Sequence, residues 1–222
     1  MKKAIKSLLI IFLIASMLFV LTGCGKEEEK TTTDNTTNTA NEQPAQEQKV
    51  EFSMGEWNNN VYTNDFLGLK FNLPQGWVYS SDEEIAEMMN LGNEFLNDDQ
   101  KIAAEVAKLT SAYYMVANDP NTGNSVTVLS EKPAMEFTTE YYLNQLKTQL
   151  SSVESLNYEI GETSKEKVAG REYDTLVVTT TMSGIKLTQK YYVYKMDKYF
   201  IGIITTSVTG EDGIKDMMKS FE

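Results

Sequence analysis

Three strand-like segments near the end of this chain restrict its fold more than any other feature. Tyr173–Thr181, Ile185–Tyr194 and Tyr199–Val208 are separated only by Ser183-Gly184 and Asp197-Lys198. They are rich in Val, Ile, Thr and Tyr, which suit a pleated, half-buried surface. Connections this short cannot carry a crossover, so consecutive strands must lie antiparallel and adjacent. Leu156, Tyr158 and Ile160 alternate just upstream and are expected to open a further strand of the same meander.

Earlier in the chain, Val61–Asn64 and Phe66–Leu73 read as two strands around a tight turn. The second is expected to send Leu69, Phe71 and Leu73 inward and Lys70 and Asn72 outward. Pro74-Gln75-Gly76-Trp77 then turns the chain. Ala112–Ala117 and Ser125–Ser130 form an expected hairpin across the turn-rich Asp119–Asn124.

Helices fall between and after these strands. Ser81 and Glu84 have capping-box spacing, ahead of Ile85, Met88, Met89, Phe95 and Leu96 at helical intervals. Asn97 and Gln100 repeat the box before Ile102, Ala103, Val106 and Leu109. Thr138 is placed to cap a third helix with a stripe of Tyr142, Leu143, Leu146, Leu150 and Val153. Ile214, Met217, Met218 and Phe221 share one face of a closing helix. Strand runs with helices before, within and after them give an α+β fold: an antiparallel β-sheet with helices packed on one or both faces.

Two groups of residues carry a resemblance. Tyr62-x-Asn64, a short turn, an alternating strand and Pro74-x-Gly76-Trp77 stand at one end of the folded region. Gly170-Arg171-Glu172-Tyr173, Tyr199-Phe200-Ile201-Gly202 and Lys219-Ser220-Phe221 stand at the other. Together they resemble PsbP/Mog1-like domains, which implies an α/β/α sandwich and a life of docking to larger partners. The helical region between Asp82 and Leu109 departs from that pattern and reads as an insertion. The matching residues are those of turns and core, which speak to fold and leave function open.

The amino end has the layout of an export signal. Lys2, Lys3 and Lys6 precede an uncharged apolar run from Leu8 to Val20, followed by Leu21-Thr22-Gly23-Cys24. A membrane-spanning helix needs roughly 20 apolar residues, and the uncharged run, even taken generously from Ser7 to Gly25, is at the short end of that range. The leucine three places before the only cysteine resembles the lipobox of bacterial lipoproteins, which implies lipidation of Cys24. Each buried methylene contributes about 0.8 kcal/mol, and two or more chains anchor a protein where one holds it marginally. Residues 1–23 are thus expected to be signal, 24–49 a lipidated cysteine and polar linker, and 50–222 a single α+β domain. The linker has no aromatic and no branched aliphatic residue before Val50 and cannot bury enough apolar area to order itself.

Composition excludes several functions. There is no histidine, which removes Ser-His-Asp and Cys-His sites and histidine-ligated zinc. A tethered Cys24 leaves no thiol for disulfides, catalysis or metal. Without the three signal lysines, 17 Lys and Arg stand against 32 Asp and Glu, a formal charge of -15. Nucleic acid is therefore no partner, because binding it requires cationic surface that displaces counterions.

The remaining motifs have plain alternatives. Ser183-x-x-Lys186 matches a penicillin-recognising motif but falls in a hairpin turn without the accompanying boxes. Glu83, Glu84 and Glu87 could pair as acid and base, yet acidic residues in a first helical turn answer the helix dipole. Asp119–Asn124 offers oxygens at alternate places but lacks the glycine position and terminal glutamate of a calcium loop. Tyr113, Tyr114, Tyr191, Tyr192 and Tyr194 lie on strands where alternation should send some outward, as contact surfaces require. Trp57 and Trp77 read as core or domain-edge packing.

The expected protein is a non-catalytic binding or assembly module for a protein or envelope partner, with no cofactor. It would be a monomer held on the extracytoplasmic face of the cell membrane, in a Gram-positive organism, through the lipid at Cys24. The alternative is a small-ligand carrier or hydrolase using carboxylates and tyrosines in a pocket. Replacing Cys24 with alanine should abolish incorporation of labelled fatty acid and leave uncleaved precursor in the cell. Undiminished labelling of that variant would refute the lipoprotein reading.

Overall fold

The computed structural model describes residues 52–92, 111–133 and 135–222. The expected signal, Cys24, the linker, the start of the domain and the helix from Asn97 to Leu109 lie outside them. So do the side chains of Met88, Met89, Phe95 and Leu96. Among the described residues no helix is long and apolar enough to cross a membrane.

A seven-stranded sheet and a three-stranded sheet, both antiparallel, make up the strand content. The small sheet is β1 (Glu56–Asn58), β2 (Val61–Asn64) and β3 (Leu69–Asn72). The large sheet begins with a short edge strand, β4 (Val78–Tyr79), and the hairpin β5 (Ser111–Asn118) and β6 (Ser125–Glu131). It ends with the meander β7 (Glu159–Val168), β8 (Arg171–Met182), β9 (Ile185–Met196) and β10 (Tyr199–Ser207). In space the order is β4-β5-β6-β10-β9-β8-β7, so β10 joins the hairpin to the meander. At Ala169-Gly170 and Ser183-Gly184 both turn residues have positive φ, the geometry whose twist matches that of paired strands.

Helix α1 (Asp82–Gly92) starts from the expected capping box. The Ser81 N–H donates to Glu84 Oε2 at 2.9 Å, and the Glu84 N–H donates back to Ser81 Oγ at 3.3 Å. Helix α2 (Thr139–Ser152) is capped by Thr138, whose hydroxyl oxygen accepts from the Tyr141 N–H at 3.2 Å. A 3-10 turn, Glu154–Leu156, follows it. Helix α3 (Glu211–Met218) closes the fold.

The large sheet is covered on both faces. On one, Tyr142, Leu143, Leu146 and Leu150 of α2 pack with Leu176, Val178, Leu187, Tyr191, Phe200 and Ile204 of the sheet. On the other, Tyr62, Leu67, Leu69 and Phe71 join Ile214 and Met217 of α3 over Met115, Val128, Tyr173, Tyr192, Ile201 and Ile203. The α+β class is as expected, but one covering layer is itself a small sheet.

Three local expectations change. Phe66 and Leu67 lie in the turn before β3, where Asn64 Oδ1 accepts the Leu67 N–H at 3.0 Å and bends the chain early. Leu156 belongs to the 3-10 turn, and β7 starts at Glu159 because Asn157 takes a left-handed conformation, φ 43°. Phe221 lies beyond α3 and bridges Phe71, with Lys70 and Glu222 exchanging backbone hydrogen bonds at 3.0 and 3.3 Å. The Lys70–Glu222 ion pair beside them, at 2.6 Å, is exposed and adds little.

One carboxyl is sealed between β6 and α2. Glu131 is 4% exposed, and the Tyr142 hydroxyl donates to its Oε2 at 2.8 Å while Oε1 has no partner. Burial pushes the Glu131 carboxyl up to about 8, against the pull of the Tyr142 hydrogen bond. The folded state therefore keeps a proton that the unfolded chain releases above the ordinary glutamate range. The resulting stability, on the order of a few kcal/mol, is present at acid pH and lost as pH rises through about 8. Carboxyls held low, such as Glu159 by the Thr179 hydroxyl and then Lys186, and Glu222 by Lys70 and Asn72, act only at pH below that window. Urea midpoints should fall between about pH 5 and about pH 8.5 in the native chain and fall much less in Glu131→Gln. Equal slopes in the two proteins would show that Glu131 is not the group responsible.

Candidate functional site: a cleft ending in the only arginine

The turn between β7 and β8 and the turn before β3 come together and leave a cleft of about 460 Å³. Leu69, Val168 and Tyr173 supply its apolar wall, and Gly68, Ala169 and Gly170 present mostly backbone. Their glycines have a local reason: Gly68 and Gly170 sit at φ 59° and 78°, where a side chain is strained. Arg171, first residue of β8, supplies the charge.

Arg171 is the only arginine in 222 residues. Its Nη1 donates to the Leu67 carbonyl at 2.8 Å and to the Tyr194 hydroxyl. Its guanidinium carbon lies 4.3 Å from the centre of the Tyr194 ring. Tyr194 meets Tyr173 edge-on, with centroids 5.1 Å apart. Burial raises both phenols, and the guanidinium offsets part of that. Every oxygen against Arg171 is neutral, and no carboxylate pairs with it among the described residues.

A more deeply buried cation, Lys190, is differently placed. The side chain of Lys190 is 7% exposed, and its ammonium meets Glu166 directly and Glu211 at 3.9 Å. It also lies 5.5 Å from the Tyr192 ring centre. This set ties β7, β9 and α3 together and is neutralised within itself.

The residues singled out in the sequence are not brought together. Ser183 occupies a hairpin turn at φ 51°, and Lys186 pairs with Glu159 at 3.7 Å across the strand edge. Asp119 is occupied by its own turn, accepting from the Asn121 N–H and the Thr122 hydroxyl, both at 2.8 Å. Partial burial works against its carboxylate, yet these bonds hold it below the usual range. Glu84 serves the α1 cap, and exposed Glu83 is held low by its own backbone N–H and Ser81. No group of three or more metal-binding side chains occurs among the described residues.

The tyrosine expectation needs correction. Tyr191 faces the α2 core and Tyr192 the opposite core, and Tyr114 is buried at a bulge where its hydroxyl meets Ser130 Oγ at 3.0 Å. Strand alternation divides them between two cores, because both faces of this sheet are covered. The exposed aromatic surface lies elsewhere: Trp57 stacks on Tyr79 at 4.2 Å, beside exposed Val78. Trp57 and Trp77 pack against the edge of the small-sheet core, as expected.

Sequence reasoning quoted Arg171 as part of a framework motif and passed over its charge. The available signal was its rarity, one arginine beside 19 lysines.

No protein-family model matches the chain, and comparison with curated proteins finds no match. Among solved structures, it is similar to the solution structure of cyanobacterial PsbP (CyanoP) from Synechocystis sp. PCC 6803. Identity is 14%, with 73% of this chain and 90% of that chain covered and a TM-score of 0.44. It is also similar to LpqN of Mycobacterium tuberculosis, a protein involved in cell envelope biogenesis. There identity is 11%, coverage 68% and 76%, and the TM-score 0.37. A Bacteroides thetaiotaomicron protein gives 11% identity, 69% and 44% coverage, and 0.37. A PsbP is thus among the structures to which this α+β chain bears a distant likeness.

Proposed function

We propose that this chain is a non-catalytic binding module, tethered by lipid at Cys24 outside the cell membrane, that holds a protein or envelope partner at the Arg171 cleft. The observation that supports the reading most is the cleft itself. It is concave, walled by fixed framework side chains, and ends in a cation that no carboxylate compensates among the described residues. Binding sites typically join an apolar wall to a few fixed polar groups. Burial raises the phenols packed against Arg171, Tyr173 and Tyr194, so both stay protonated and do not serve as bases.

A hydrolase would need a carboxylate facing the cleft to move a proton. Glu131, the carboxyl with a strongly raised affinity for protons, is buried in the α2 core on the opposite face of the large sheet.

A photo-crosslinking side chain at exposed Ala169 should, on intact cells, yield one discrete adduct identifiable by mass spectrometry. The same group at exposed Thr148, on the outer side of α2, should not. Equal adduct patterns from the two sites, or turnover of a substrate that depends on cleft residues, would refute the proposal.

A further inference from the structure

Arg171 poses a charge problem that several lysines of the fold do not share. Lys70 pairs with Glu222, Lys165 with Glu172 and Asp174, and Lys190 with Glu166. Arg171 is partly buried and, among the described residues, faces neutral oxygens and a ring, in a chain with 32 acidic residues to draw on. A guanidinium carries five N–H donors in a rigid fork that matches a carboxylate with two parallel bonds. Nη1 makes the hydrogen bonds to Leu67 and Tyr194, and the Tyr173 hydroxyl is a third neutral oxygen bonded to the guanidinium. Nη2 lies at the cleft wall formed by Gly68, 3.7 Å from where a side chain would begin there.

We propose that the cleft receives a carboxylate of a polypeptide partner, which Arg171 grips. The inference rests on the binding reading of this same cleft. The charge count sets the class of anion. One guanidinium without a carboxylate partner among the described residues matches a single negative charge, whereas a dianion would be left half neutralised by it. The acidic surface of the remaining chain repels multiply charged anions for the same reason.

Because Arg171 is the only arginine, its Nε–H gives a single resonance in a nitrogen-15 spectrum of the full chain in detergent micelles. Acetyl-Gly-Leu with a free carboxylate should shift that resonance saturably at about millimolar concentration, and its C-terminal amide should not. Acetyl-Asp-Leu-amide distinguishes a side-chain carboxylate from a chain terminus as the preferred source. Ala169→Asp and Ala169→Asn supply the second test, since both residues suit the positive φ of that turn and differ only by charge. The Asp variant should bind the free acid about threefold more weakly than the Asn variant, as one like charge about 6 Å away in water predicts.

No saturable shift with either carboxylate, an equal shift with the amide, or identical titrations of the two variants would overturn the inference. A discrete adduct from position 169 alongside such a failure removes the carboxylate claim and leaves the binding module. Saturable carboxylate binding without any adduct leaves the site and removes the partner.

Discussion

Burial of both faces of the large sheet is the constraint on which the rest depends. All seven residues of β6 and all but the first residue of β10 are buried. An antiparallel sheet commonly leaves one face to water, and a sheet without such a face must find two covers. Helix α2 provides one. The small sheet and α3 provide the other, with Phe71 and Phe221 packed at 4.9 Å where those two covers meet. Each fully buried side chain of this size contributes about 1.5–3 kcal/mol, and the two layers hold the sheet between them.

The cleft is a by-product of that second cover. The small sheet ends over the β7–β8 corner, and its turn is fastened there by hydrogen bonds as well as by buried Leu67. Asn64 fixes the turn from inside, accepting from Leu67 and donating to the Tyr62 hydroxyl at 3.0 Å, and Tyr62 donates on to the Met54 carbonyl at 2.6 Å. Burial pushes the Tyr62 phenol up to about 12, so it remains a donor throughout the physiological range. Arg171 fastens the turn from outside through the Leu67 carbonyl. One arginine thus belongs to the joint and to the cleft at once.

Local signals made much of this fold legible. The Ser81/Glu84 and Thr138 caps, the α2 stripe and the three long strands all lie where their residues place them, because capping bonds and side-chain periodicity act within a few positions. The errors have a common cause. Leu67 and Leu156 look like strand residues by alternation, but a side-chain bond from Asn64 and a left-handed Asn157 bend the backbone before the pattern is complete. β1 and β4, at three and two residues, carry no period to read and exist because a neighbour pairs with them.

The sequence by itself determined the α+β class, the antiparallel order of the meander, and the chemistry ruled out by a chain without histidine. These are matters of residue type and spacing, which need no knowledge of distant contacts. Only the tertiary structure decided where the tyrosines point, that a small sheet serves as a covering layer, and that Arg171 stands over a cleft with no carboxylate beside it among the described residues. Those outcomes turn on which segments far apart in the chain, Leu67 and Arg171 or Phe71 and Phe221, come to share one surface. Periodicity along a strand gives the side a residue faces, and packing alone settles what covers that side.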